Sequence, residues 1–118
     1  MREIKFRAWD KKTKNMYQVK GISFTWRWAS WDTEVLQSQY KGFDDIELMQ
    51  FTGLRDKNGK EIWEGDILEY ADKSGMGVVR FGEGAFYLET NLKNWRGDIY
   101  ESEEVIGNIW ENPELLGA

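Results

Sequence analysis

The feature that most constrains this chain is how its apolar residues are punctuated: they fall in short runs, closed repeatedly by glycine, Asn-Gly or an acid-glycine corner. Runs of strand length spaced about ten residues apart suit a small barrel or sandwich, and do not suit a parallel sheet covered by helices. The period of two supports this. Ile4, Phe6 and Ala8 alternate with Lys5, Arg7 and Trp9, as in a half-buried strand. Residues 10–15 read as a polar turn, and Met16-Tyr17-Gln18-Val19 as the returning strand. After Gly21, the residues Ile22, Phe24, Trp26 and Trp28 fall on one strand face, with Ser23, Thr25, Arg27 and Ala29 on the other. Residues 32–42 admit two readings. Thr33, Val35 and Tyr40 favour a strand paired with 22–28, and the rival is a short helix capped by Asp32 or Thr33 and ended by Gly42.

In the second half, Asn58-Gly59 sits between apolar runs and predicts a type I′ hairpin turn, in which both central residues take positive φ. Glu64-Gly65-Asp66 makes the next corner, before Ile67-Leu68-Glu69-Tyr70. Strands follow at 77–81 and 85–89, joined by Gly82-Glu83-Gly84, and at 104–110. Asn112-Pro113-Glu114 predicts an N-cap, a first helical position and an acidic first turn for one short turn of helix. The expected fold is mainly β. It has an N-terminal antiparallel part over residues 1–46, and residues 47–118 form a small barrel ending in that turn, the two packed as one unit.

Several function classes are disfavoured by what the chain lacks. It contains no histidine, which removes the usual general acid or base near neutral pH and the commonest metal ligand. It contains no cysteine, hence no thiolate nucleophile, disulfide or thiolate metal site. The expectation is a protein that is not an enzyme and has no cofactor and no metal. Residues 1–7 hold no apolar run of the signal-peptide kind, and nowhere do about 18 apolar residues occur together. A cytoplasmic protein without a membrane span is therefore expected.

Three segments together resemble a known family: Arg2-Glu3-Ile4-Lys5-Phe6-Arg7-Ala8-Trp9-Asp10, the central stretch from Leu48 through Gly53, Asp56, Asn58-Gly59 and Trp63 to Ile67, and Val105-Ile106-Gly107-Asn108-Ile109-Trp110-Glu111-Asn112-Pro113-Glu114-Leu115. They are similar to the YopX family of small phage and prophage proteins. The resemblance implies an SH3-like barrel in the C-terminal part, a phage origin and the cytoplasm of the phage-bearing bacterium. It carries over no catalytic residue.

Among the motifs, Asp56-Lys57-Asn58-Gly59-Lys60-Glu61 looks superficially like a calcium loop, but its glycine and glutamate come too early for an EF-hand, and it reads as a turn. Glu64 and Asp66 are a carboxylate pair for a carboxylate- or metal-dependent hydrolase, against a plain corner in which Asp66 accepts backbone hydrogen bonds. Glu101-Ser102-Glu103-Glu104 reads as a solvated acidic face before it reads as a cation site. The aromatic set is the strongest candidate. Trp26, Trp28 and Trp31 crowd one segment, near Lys5, Arg7 and Arg27. They fit a core, an interface for a protein partner or a second copy, or a surface that stacks nucleic-acid bases while the cations hold phosphate. Residues 1–28 carry eight Lys/Arg against two Asp/Glu, a net of +6 that leaves −11 on the remainder. This asymmetry keeps the nucleic-acid reading open, although the acidic remainder would repel the same phosphates.

Overall fold

The computed structural model describes residues 3–32, 38–90 and 96–117. Among them regular structure is almost entirely β-strand, with two short 3-10 turns and no α-helix, so the mainly β expectation holds. The chain divides into two units, Ile4–Gln50 and Phe51 onward together with Glu3. The boundary falls inside one long strand.

In the first unit, β1 (Phe6–Asp10) pairs antiparallel with β2 (Asn15–Gln18) on one side and with the start of β6 (Ile46–Arg55) on the other. Its neighbours complete the hydrogen bonding along both edges of β1, and the burial of successive residues shows that both of its faces are covered as well. Arg7, Ala8, Trp9 and Asp10 are all buried, which corrects the half-buried alternation expected there. Alternation marks a strand with one wet face, and β1 has none.

A second sheet holds β3 (Gly21–Ser23), β4 (Trp28–Asp32) and β5 (Ser38–Gly42) in that order. The single strand expected over 22–28 is instead a hairpin: Ser23 pairs with Trp28 across the four-residue loop 24–27. The Trp26 N–H donates to Ser23 Oγ at 3.0 Å, and Arg27 takes a φ of +59° that turns the chain back. Phe24 and Trp26 continue the alternating pattern while standing on a loop, which is why periodicity alone misplaced them. In the ambiguous segment, β5 is a strand, and residues 33–37 lie outside those described.

The core of this unit is Ala8, Ala29, Trp31 and Ile46, with Tyr17 stacked on Trp31 at 4.9 Å and an interplanar angle of 10°. Two alanines in that cluster leave room for the indole, the largest fully buried side chain among the described residues.

In the second unit, the strands β8 (Asp66–Glu69), β9 (Met76–Gly82), β10 (Ala85–Thr90), β11 (Arg96–Gly97) and β12 (Glu104–Asn108) form an antiparallel sheet ordered β11-β10-β9-β8-β12. The end of β6 pairs with β7 (Glu61–Trp63). Ile62, Leu68, Val79, Leu88 and Val105 make the core. Gly77 on β9 has no room for a side chain: a Cβ there would stand 2.7 Å from Leu88 Cγ and 2.9 Å from the Glu89 carbonyl.

Two turn expectations are corrected. At Asn58-Gly59 only the glycine has positive φ (+82°), and the Gly59 N–H donates to the Asp56 carbonyl, so the turn is not type I′. Asp56 supplies the reason. Its Oδ1 accepts from the N–H of Asn58 (2.8 Å) and of Lys60 (2.9 Å), drawing the loop around one carboxylate. Among the described residues, the turn with both residues at positive φ is Glu83-Gly84, between Gly82 and Ala85. At the C-terminal end a 3-10 turn spans Pro113–Leu116, but Asn112 does not cap it with its side chain. Asn112 Oδ1 accepts instead from the Asn108 N–H at 3.1 Å.

Candidate functional site

In residues 4–50 the loop between β3 and β4 lifts aromatic side chains into solvent. Trp26 is 78% exposed and Phe24 67%. Phe24 is held edge-on between two further rings, Phe6 at 6.4 Å and Phe43 at 6.3 Å, and the Arg27 guanidinium lies over Phe43 at 5.4 Å from its centroid. The Phe43 N–H also donates to the Arg27 carbonyl at 2.9 Å, which ties the loop end down. Tyr40 on β5 is exposed beside the half-buried Trp28, 6.0 Å away.

The six residues singled out by sequence therefore separate. Trp26 and Arg27 come together at the hairpin tip, and Trp28 begins the strand behind it. Trp31 is core, Arg7 is buried in β1, and Lys5 is half-buried. Exposure was decided by which residues fell in the loop, and no spacing rule announces a four-residue loop made of Phe, Thr, Trp and Arg.

The second unit is the acidic one: Phe51 onward with residues 1–3 carries eight Lys/Arg against fifteen Asp/Glu, whereas residues 4–50 carry eight against six. Three of its carboxylates are buried, and they are buried differently. Asp66 Oδ2 accepts the Trp63 N–H at 2.8 Å, the corner role expected of it. Asp56 takes the two loop N–H groups on Oδ1 and the distant Val105 N–H on Oδ2 at 2.9 Å. Burial alone would raise its pKa, but these three donors outweigh burial and hold it below the ordinary value.

Glu103 is the third, only 5% exposed, and this corrects the solvated acidic face expected over 101–104. Its Oε1 accepts a single hydrogen bond, from the Tyr100 N–H at 2.9 Å, and burial pushes its pKa up. It lines a cavity of about 530 Å³ together with Tyr70, Leu88, Thr90 and Tyr100, and with Asp72 and Asp98. The Tyr70 hydroxyl is buried beside Thr90 without a hydrogen bond of good geometry; burial first and the Glu103 charge second push its pKa up. The sequence did carry a signal for Glu103. It stands two residues before Val105, so on the period of two it shares the buried face of β12 and its approach. An acidic run hid that reading.

Among the described residues no three carboxylates converge to hold a metal ion, and no helix is long and apolar enough to cross a membrane.

The YopX protein family matches residues 5–117, nearly the whole chain. Among solved structures, the chain is similar to protein EF1440 from Enterococcus faecalis, with 32% sequence identity, a TM-score of 0.72, and coverage of 98% of this chain and 99% of that one. No curated protein matches.

Proposed function

We propose, from the premise that the chain belongs to the YopX family, that it is a non-enzymatic interaction protein that uses its β3–β4 hairpin to bind a protein partner or a second copy of itself. The observation that carries this reading is Trp26, 78% exposed at the tip of a hairpin whose backbone is fixed by Ser23 and whose neighbouring ring Phe24 is braced by Phe6 and Phe43. A large aromatic side chain left in water on a rigid support is what a binding anchor looks like before its partner arrives, because little ordering remains to be done on binding. The reading extends to a phage-borne protein acting in the bacterial cytoplasm, with residues 47–118 as an SH3-like barrel. A chain without cysteine suits that reducing compartment.

The nucleic-acid alternative draws less support. Of the three cations assigned to it, Arg7 is buried and Lys5 half-buried, leaving Arg27 as the exposed one, and residues 4–50 carry a net charge of only +2, eight Lys/Arg less six Asp/Glu. A carboxylate hydrolase draws less still, since Asp66 is spent on the Trp63 N–H.

The test is sedimentation velocity over a wide concentration range for the wild type and for Trp26→Ser, joined to crosslinking from a photoreactive residue placed at position 25. Self-association that Trp26→Ser weakens at least about tenfold, or a crosslinked partner protein lost in that variant, is the expected result. A monomer at every concentration with no crosslinked protein would end the proposal. Salt-sensitive binding of labelled single-stranded DNA or RNA would replace it with the alternative.

A further inference from the structure

We propose that the cavity lined by Tyr70, Tyr100 and Glu103 is a binding site for an organic cation, an ammonium or guanidinium group carried on an apolar stem. The cavity's volume, about 530 Å³, is in the range that holds a small ligand. Its chemistry is two-sided. Leu88, Ala71 and the two tyrosine rings supply apolar and π surface, and Glu103 supplies a carboxyl group that is 5% exposed. Asp72 and Asp98, both exposed, add negative charge to the same lining.

The charge of the described lining points to the sign of the ligand. Among the described residues no Lys or Arg lines the cavity. Among the described residues of this unit, four cations are engaged with other carboxylates: Lys57 with Glu104 at 3.3 Å, Lys73 with Glu69 at 3.0 Å, Arg55 with Glu61 at 3.4 Å and Arg80 with Glu89 at 3.6 Å. A carboxylate accepts up to about four hydrogen bonds, and Glu103 receives one, from a backbone N–H that also fixes which way it points. A buried carboxyl without a counter-charge is costly to keep ionised, and a ligand that brings the counter-charge recovers that cost. The stem of such a ligand would lie on Leu88 while its cation meets the tyrosine faces and the free capacity of Glu103. An anion would enter a cavity lined by three carboxylates, and a neutral apolar ligand would leave Glu103 uncompensated.

The ammonium or guanidinium has two sources, a free small molecule or a Lys or Arg side chain of a peptide, and the experiment separates them. Titrate ¹⁵N-labelled protein at pH 7.5 with n-butylguanidinium and n-butylammonium, with n-butanol and n-butyrate as controls, following the amide signals of Tyr100, Glu103 and Gly97. Repeat the titration with a blocked tripeptide containing one arginine. Saturable shifts with the two cations, at a dissociation constant on the order of 1 mM for so small a ligand, and none with the controls, are expected. Glu103→Gln keeps an acceptor for the Tyr100 N–H and should weaken cation binding about tenfold or more, while Asp98→Asn weakens it a few-fold with the Glu103 environment intact. Tighter binding of the tripeptide than of butylguanidinium assigns the site to a peptide, and equal or weaker binding to a small molecule. Shifts as large with butanol or butyrate, no saturable shift with either cation, or full affinity in a folded Glu103→Gln protein would each overturn the proposal. The Trp26 hairpin is not involved, so this site and the interaction surface stand or fall separately.

Discussion

Two buried carboxylates tied to β12, Asp56 through the Val105 N–H and Glu103 as the residue just before the strand, show what burial of a charge is for. Asp56 is 6% exposed and holds three backbone N–H groups, two in its own loop and one from Val105, far along the chain. Glu103 is as deeply buried and holds one. The difference is not one of depth. A carboxylate whose lone pairs are filled by the backbone is a structural clamp, and its ionised form is the stable one. A carboxylate with one donor and a cavity before it is under-satisfied, and the fold carries it at a cost. The two are also linked, because the Lys57 N–H donates to the Glu103 carbonyl at 3.1 Å, so the clamp at Asp56 helps to seat the residue at the cavity.

The sharpest way to break this contrast is to remove the clamp. Asp56→Ala leaves three N–H groups without an acceptor, one of them buried at Val105, and should cost roughly 3–5 kcal/mol in urea unfolding. Asp56→Asn keeps one oxygen and should cost less. If Asp56→Ala proves nearly neutral, the idea that this side chain organises the turn is wrong. Because Lys57 seats Glu103, a folded Asp56→Asn protein should also show displaced Tyr100 and Glu103 amide signals.

A smaller effect, opposite in sign, is expected at Glu103. Its folded pKa lies above the ordinary value of 4.5, so as pH rises from that value through the folded pKa the unfolded chain gives up the proton first and stability is lost. Asp56 and Asp10 behave in reverse: held below their ordinary value of 3.8, they contribute stability above it that is lost as pH falls through their folded pKa values. For Asp10, burial opposes this, and Lys41 at 2.9 Å with the N–H groups of Lys12 and Thr13 outweighs it. Among the described residues, the ionisable groups lining the cavity with Glu103 are Tyr70, Tyr100, Asp72 and Asp98, none of them cationic. Glu103→Gln should therefore melt slightly above the wild type at pH 7, and the gap should close as pH falls below about 4.5, where both chains carry a neutral group. A gap that stays constant with pH, or a variant less stable at pH 7, would show that Glu103 is as well satisfied as Asp56.

Much of the strand plan was legible because β7, β8, β9 and β10 are short, apolar and closed by Gly or Asn-Gly, signals that act locally. What was not legible depends on tertiary placement. Arg7 looks like a wet cation until both faces of its strand are covered, and Glu103 looks like part of a solvated run until the cavity wall is built around it. Asn58-Gly59 looked like the type I′ turn because sequence does not say that the preceding Asp56 carboxylate would bind the loop from within. Glu83-Gly84, with only its glycine to advertise it, took that geometry instead.

The same question of what burial is for divides the tryptophans, and it gives the smallest expected effect. Trp31 is 1% exposed and stacked on Tyr17, whereas Trp26 projects from a loop whose turn depends on the Trp26 backbone N–H and Ser23 Oγ, not on the indole. Trp26→Ser retains that N–H and takes an apolar ring out of water, so the unfolding free energy should change by no more than about 0.5 kcal/mol. Ser23→Ala, which removes the acceptor, should cost more than deleting the whole indole, about 1 kcal/mol. The order of these two values is the informative part. If Trp26→Ser is the costlier change, the indole packs against its own fold in solution, and its exposure no longer argues for a partner. If Ser23→Ala is costlier, the fold spends its bonding on holding the loop and gains nothing from the ring it displays, which is the energetic signature of a side chain kept for something outside the chain.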